Sequence, residues 1–172
     1  LDHEGAPEAA ALLDEKLKND GTDLPALVLL RAEADLRQGR TDAAIQRLRA
    51  TVEADAGRDV EKQVLAFAQE RSLDAMIELI LRRRIDREGD KPEAVFELAT
   101  FLRGRDRGSD AVQLLKAFAA RASAPADRAR RLNDAASFLA AGGDEEEALR
   151  LQTEAAKLTQ DGREELVRLA DF

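Results

Sequence analysis

The stretch PALVLLRAEADLRQGRTDAAIQRLRATVEADAG, residues 25–57, decides the fold. Val28, Leu29, Ala32 and Leu36 recur at helical spacing, and so do Ala44, Ile45, Leu48 and Val52. Each set marks one apolar face of a helix. Pro25 stands at the start of the first helix, where a missing N–H costs nothing. Gln38-Gly39 reads as a turn, and Thr41-Asp42 offers N-cap residue types to the second helix. The stretch therefore predicts two amphipathic helices joined by a tight turn.

Working outward, the pattern repeats. Turn signals fall at Asn19-Asp20-Gly21, Ala56-Gly57, Gly89-Asp90, Gly104, Gly108, Gly142-Gly143 and Asp161-Gly162. Between them lie further helical sets. Leu12, Leu13 and Leu17 form the first, then come Val64, Phe67 and Ala68, then Met76, Leu79, Ile80 and Leu81. Val95, Leu98, Ala99 and Leu102 are followed by Val112, Leu114, Leu115 and Phe118, and by Leu132, Ala135, Ala136 and Leu139. Leu149, Ala155 and Leu158 precede a last set of Leu166, Leu169 and Phe172. Ser72, Ser109-Asp110 and Asp144 read as helix caps, and Pro92 and Pro125 sit near helix starts. This predicts ten helices and no strand. Composition agrees: 33 Ala and 25 Leu dominate the apolar residues, with no Trp or Tyr, a helix-forming set poor in strand formers.

Ala10, Ala44, Ala75, Ala111 and Ala148 stand at corresponding points of successive segments, 34, 31, 36 and 37 residues apart. A period near 34 with two helices per unit marks a helical solenoid. On Ala32, Gly39, Ala44 and Leu48, the chain resembles the tetratricopeptide repeat (TPR) family. Val95, Leu98, Ala99, Leu102, Ala111, Leu115 and Phe118 carry the likeness in a second unit, and Leu132, Ala135, Ala136, Leu139, Gly143, Ala148 and Ala155 in a third. The resemblance implies an all-α fold, a right-handed α-solenoid of antiparallel helix pairs in one domain spanning 1–172. Its expected parts are a half repeat at 6–18, a repeat at 25–56, a degenerate repeat at 58–88, repeats at 91–123 and 125–159, and a C-terminal capping helix at 163–171. The degenerate unit ends in Arg82-Arg83-Arg84 where apolar residues are expected. Small residues at the crossings let paired helices approach to about 8–10 Å, and each pair leaves a face for the next to cover.

The residues of catalysis are missing from the pattern. The chain has no Cys, which excludes disulfides, thiolate metal sites and a Cys nucleophile. The single histidine, His3, has no partner pattern and reads as a surface residue. Phosphate loops, zinc-binding helix motifs and nucleophile elbows are absent. Asp144-Glu145-Glu146-Glu147 places acids at a helix N-terminus, where they complement the helix dipole. No catalytic residue, cofactor or metal ligand is expected. No apolar run is long enough to span a membrane, and no signal-peptide pattern is present. Leu1 in place of Met suggests an excised piece of a larger protein, and 21 Arg against 6 Lys suggests a GC-rich, bacterial genome. The expectation is a soluble segment in a bacterial cytoplasm or periplasm.

Charge is uneven. Net charge is −8, made of −7 over residues 1–81, +5 over 82–131 and −6 over 132–172. The central stretch carries Arg82, Arg83, Arg84, Arg87, Arg103, Arg105, Arg107, Arg128, Arg130 and Arg131. Two readings stand: a docking patch for an acidic partner or another anionic ligand such as an anionic polymer, or a surface that pairs internally with Asp86, Glu88, Asp90 and Asp106. Nucleic acid is not expected, because the chain is acidic and lacks Tyr and Trp for base stacking.

The resemblance also implies a concave groove lined by the first helix of each pair. It places Leu29, Glu33 and Leu36 there, then Phe96, Thr100 and Arg103, then Arg130, Asn133 and Ser137. Chaperone-tail binders of the family clamp a C-terminal carboxylate with Lys, Asn and Arg. Leu29 and Phe96 stand where that clamp needs polar residues, so clamp-type binding is not expected. Apolar anchors at Leu29 and Phe96 beside Arg103 and Arg130 suit an amphipathic or acidic peptide. The expected function is a non-catalytic protein–protein interaction scaffold. The competing expectation is a spacer or homo-oligomerising module that positions a neighbouring domain.

Overall fold

The structure, a computed structural model, describes residues 8, 11–15, 25–54, 57–89 and 91–170, with side chains as far as residue 159. His3, Leu17, Phe172 and the turn signals Asn19-Asp20-Gly21, Ala56 and Asp90 lie outside the described residues. Regular structure among the described residues is helical throughout. After helical backbone at 11–15 come α1 (Pro25–Arg37), α2 (Thr41–Glu53), α3 (Arg58–Glu70) and α4 (Asp74–Glu88). They are followed by α5 (Pro92–Arg103), α6 (Gly108–Ala120), α7 (Pro125–Ala141) and α8 (Glu145–Ala170). The fold is all-α and TPR-like in its antiparallel hairpins.

One turn makes every hairpin. After α1, Gly39 N donates to Leu36 O and Arg40 N to Asp35 O. The same two bonds recur after α3 (Ser72 to Gln69, Leu73 to Ala68), after α5 (Asp106 to Arg103, Arg107 to Leu102) and after α7 (Gly143 to Ala140, Asp144 to Leu139). This is the Schellman closure, which needs one left-handed residue. Gly39, Ser72, Asp106 and Gly143 supply it at φ 72, 54, 58 and 86°. The next residue is the one before the following helix begins. Arg40 and Arg107 therefore occupy the N-cap positions of α2 and α6 without a side-chain cap bond, and Thr41 and Ser109 lie inside those helices. Ser72, expected to cap a helix, is instead the left-handed turn residue.

These turns correct the repeat register. Ala44, Ala111 and Ala148 each lie five residues past a left-handed residue and are buried. The equivalent position after Ser72 is Ile77, also buried, whereas the expected anchor Ala75 is exposed. A buried isoleucine stands here where the other units have alanine, and the unit departs from the pattern at that position. Leu81 and Ile85 carry its apolar face past Arg82-Arg83-Arg84, so the arginines do not end the helix. The separate capping helix expected at 163–171 does not form either. α8 runs unbroken through Asp161-Gly162, because one helical glycine costs only about 1 kcal/mol relative to Ala and no proline removes an N–H.

The chain divides into two compact units, Leu1–Ile80 and Leu81–Phe172, with the cut inside α4. In the first unit α1 packs on α2, and α3 packs on both. Ala32, Ala44, Leu48, Val52, Val64 and Ala68 fill its interior. An ionic cluster lies beside them. Asp35, 1% exposed, accepts hydrogen bonds from Arg31 at 2.5 Å and Arg40 at 2.7 Å. Arg31 also grips Asp14 through two bonds of 2.8 and 3.0 Å, which ties the 11–15 segment to α1. In the second unit α5 packs on α6, α6 on α7 and α7 on α8. Leu98, Leu102, Leu115, Phe118, Leu132, Leu139 and Leu151 are its largest fully buried apolar groups, apart from Phe118 at 2%.

Candidate protein-interaction face

The residues expected in a groove fall on α1 in the first unit and on α5 and α7 in the second. On α5, Phe96, Thr100 and Arg103 follow one another along one stripe. Phe96 and Arg103 are half-buried and Thr100 is exposed. The Thr100 hydroxyl donates to the Phe96 carbonyl at 2.8 Å, so it is satisfied within its own helix. On α7, Asn133 and Ser137 are exposed, and the Ser137 hydroxyl donates to Asn133 O at 3.0 Å.

The two stripes meet through residues that sequence reasoning missed. Phe138, the neighbour of Ser137, stacks on Phe96 with ring centroids 5.3 Å apart and planes at 41°. Arg103 lies over the Phe138 ring at 5.5 Å. Its Nη2 donates to Gly142 O at 2.5 Å. The signal for Phe138 is weak: one large apolar residue beside the α7 core stripe, in a chain with only six Phe. Arg130 is not drawn into this group. It pairs with Asp127 on its own helix at 3.1 Å, and both are exposed.

On α1, Leu29 and Leu36 are half-buried. Glu33 is committed to two arginines, Arg71 at 2.8 Å and Arg37 at 3.0 Å. The Arg71 hydrogen bond is the main reason its carboxyl is held below the usual carboxylate range, against the opposing effect of burial. Arg71 also lies over the Phe67 ring of α3 at 5.5 Å. A separate shallow groove, not expected from sequence, runs along α2 and is lined by Val28, Ala43, Gln46, Arg47, Ala50, Thr51 and Ala54.

The arginine-rich stretch is largely engaged within the chain. Arg84 meets Glu97 at 2.5 Å, Arg107 meets Asp110 at 2.7 Å and Arg128 meets Glu154 at 2.9 Å. Arg87 lies 3.9 Å from Glu88. Arg105 covers Phe101 at 5.3 Å, and Arg131 covers Phe118 at 4.5 Å while donating to its carbonyl. Of the acids expected from sequence, Glu88 is among these partners; Glu97 and Glu154 are reached from a different helix. The acidic start of α8 is likewise engaged: Glu146 and Glu147 pair with Arg150, and Glu147 also takes Lys116 of α6. Among the described residues no cluster of His, Cys, Asp and Glu could hold a metal ion, and no helix is long and apolar enough to cross a membrane.

No protein-family model matches the chain, and no curated protein matches it. Among solved structures it is similar to a crystal structure of MamA, at 13% identity over 90% of this chain and 89% of that one, with a TM-score of 0.40. It is also similar to a crystal structure of a Podosopora anserina putative kinesin light chain with nearly identical TPR-like repeats, at 17% identity over 91% and 88%, with a TM-score of 0.41. Superpositions this loose add nothing to the fold, which stands on the helices, the repeated turn and the buried crossing positions.

Proposed function

We propose that the chain is a non-catalytic protein-interaction scaffold whose second unit receives a peptide or helix along the first helices of its pairs, α5 and α7. The observation that carries this reading is the half-buried Phe96–Phe138 pair flanked by Arg103, with the exposed polar groups of Thr100, Asn133 and Ser137 on the same stripes. A rigid aromatic pair offers apolar contact at low entropy cost, and the polar rim supplies direction. Leu29, Glu33 and Leu36 are the corresponding positions of the first unit. There Glu33 is ion-paired, which leaves the two leucines as the contact groups. Docking through the arginine-rich stretch draws less support, since most of its cations already have carboxylate, ring or carbonyl partners.

The test is selection from a displayed random-peptide library against the full chain. Peptides should be enriched that bind the wild type and lose about tenfold or more in affinity on Phe96→Ala, as expected for a central aromatic contact. Asn133→Ala should change which peptides are preferred. No enrichment, or peptides indifferent to Phe96→Ala, would overturn the proposal.

A further inference from the structure

The C-terminal ends of α5 and α7 are joined by one side chain. Arg103 is the last residue of α5, and Gly142 directly follows α7. The guanidinium bonds the Gly142 carbonyl and rests on Phe138, which in turn stacks on Phe96. Gly142 has φ −93° and ψ 3°, a conformation open to any residue, so backbone freedom does not explain the glycine. A Cβ at this position would overlap the Arg103 guanidinium, and the three nearest atoms all belong to that group. They are the far end of a flexible side chain, so an alanine here would displace the arginine and leave the backbone in place. The adjoining Gly143 is the contrast: its φ of 86° needs a glycine, yet nothing lies within 4 Å of a Cβ placed there.

We propose that Arg103 is a positioning residue, a latch seated on Gly142 that fixes the end of α5 against the turn after α7 and keeps the Phe96–Phe138 pair stacked. The aromatic face is thereby formed before any partner arrives. The first unit has a related contact, made differently: Arg71 stands just before its left-handed residue as Gly142 does, while Glu33 lies one turn further back along its helix than Arg103 does. Glu33, in the last turn but one of α1, holds Arg71, which directly follows α3. That contact is a partly exposed ion pair and is screened by salt. The Arg103 latch uses a carbonyl and a ring and has no carboxylate partner among the described residues. The inference concerns the free chain, so it stands or falls independently of peptide binding.

The experiment uses the full chain with labelled arginine and phenylalanine in NMR. In the wild type, the Arg103 side-chain protons should be displaced by the ring current of Phe138. Gly142→Ala should abolish that displacement while the backbone fold persists. Urea unfolding then closes a double-mutant cycle with Arg103→Ala. Gly142→Ala should lower the folding constant in the wild-type background and be neutral or favourable in the Arg103→Ala background, a coupling of about tenfold. Arg103→Lys, which keeps the charge but lacks the planar fork, should also lose the ring-current signature. In about 1 M salt the Arg103 signature should persist while that of Arg71 over Phe67 weakens. Additive effects in the cycle, or an Arg103 signature unmoved by Gly142→Ala, would overturn the latch.

Discussion

The repeated hairpin turn makes a sharp prediction, because two of its four left-handed positions hold glycine and two do not. Ser72 and Asp106 sit at φ 54 and 58°. An L-residue there is disfavoured by roughly 1–2 kcal/mol, less for Asp. Glycine removes that penalty but loses about 0.5–1 kcal/mol more backbone entropy on folding. Ser72→Gly should therefore stabilise the first unit by about 0.5–1 kcal/mol, and Asp106→Gly the second by about 0.5 kcal/mol. The reverse changes, Gly39→Ala and Gly143→Ala, should each cost about 1 kcal/mol. No atom lies within 4 Å of a Cβ at either glycine, so that cost is conformational and not steric. Urea titration followed by helical circular dichroism reads the differences. With a slope of about 2 kcal/mol/M, 1 kcal/mol moves the midpoint by about 0.5 M. Ser72→Ala is the control, since it removes the hydroxyl and leaves the strain, and it should not stabilise. Loss of stability in Ser72→Gly together with indifference in Gly39→Ala and Gly143→Ala would refute the reasoning.

Three further outcomes are expected. Ala44→Leu and Ala111→Leu, each placed at a fully buried crossing, should overpack their hairpins and cost about 1–3 kcal/mol by urea unfolding. Leu98→Ala and Leu115→Ala, both fully buried, should cost about 2–5 kcal/mol, with midpoint shifts larger than any turn variant. For Asp35, burial alone would raise the carboxyl pKa, but the hydrogen bonds from Arg40 and Arg31 outweigh it and hold the group below its ordinary 3.8. A depressed carboxylate stabilises the fold above its unfolded value, and that stability drains away as pH falls through the folded value. The unfolding midpoint of the wild type should therefore exceed that of Asp35→Asn near neutral pH, and the gap should narrow below about pH 4. A gap that is constant with pH would remove Asp35 from the account.

Most helix faces were legible in the sequence because each is set by spacing within one segment, though Leu12 and Leu149, expected on apolar faces, are 67% and 65% exposed. Val28, Ala32 and Leu36, or Leu98 and Leu102, need no knowledge of their partners to be recognised. The left-handed residue of each hairpin turn was legible only in half the cases, and the reason is physical. Closure of the helix pair forces a left-handed residue at a set distance, and glycine announces that position while Ser72 and Asp106 do not. The misplaced anchor at Ala75 follows from this. With the turn hidden, an alanine two residues early stands out as the anchor, and the buried Ile77 falls outside the expected apolar set of Met76, Leu79, Ile80 and Leu81. The interaction face was legible as two separate stripes and no further. Phe96 and Arg103 could be placed on α5 by count, but Arg103 meets Phe138 and Gly142 only once α5 and α7 lie side by side. Those contacts span 35 and 39 residues of chain. Nor does a glycine that makes room look different, in sequence, from a glycine that makes a turn. Gly143 carries the left-handed φ of the turn, and Gly142 lies beneath the Arg103 guanidinium.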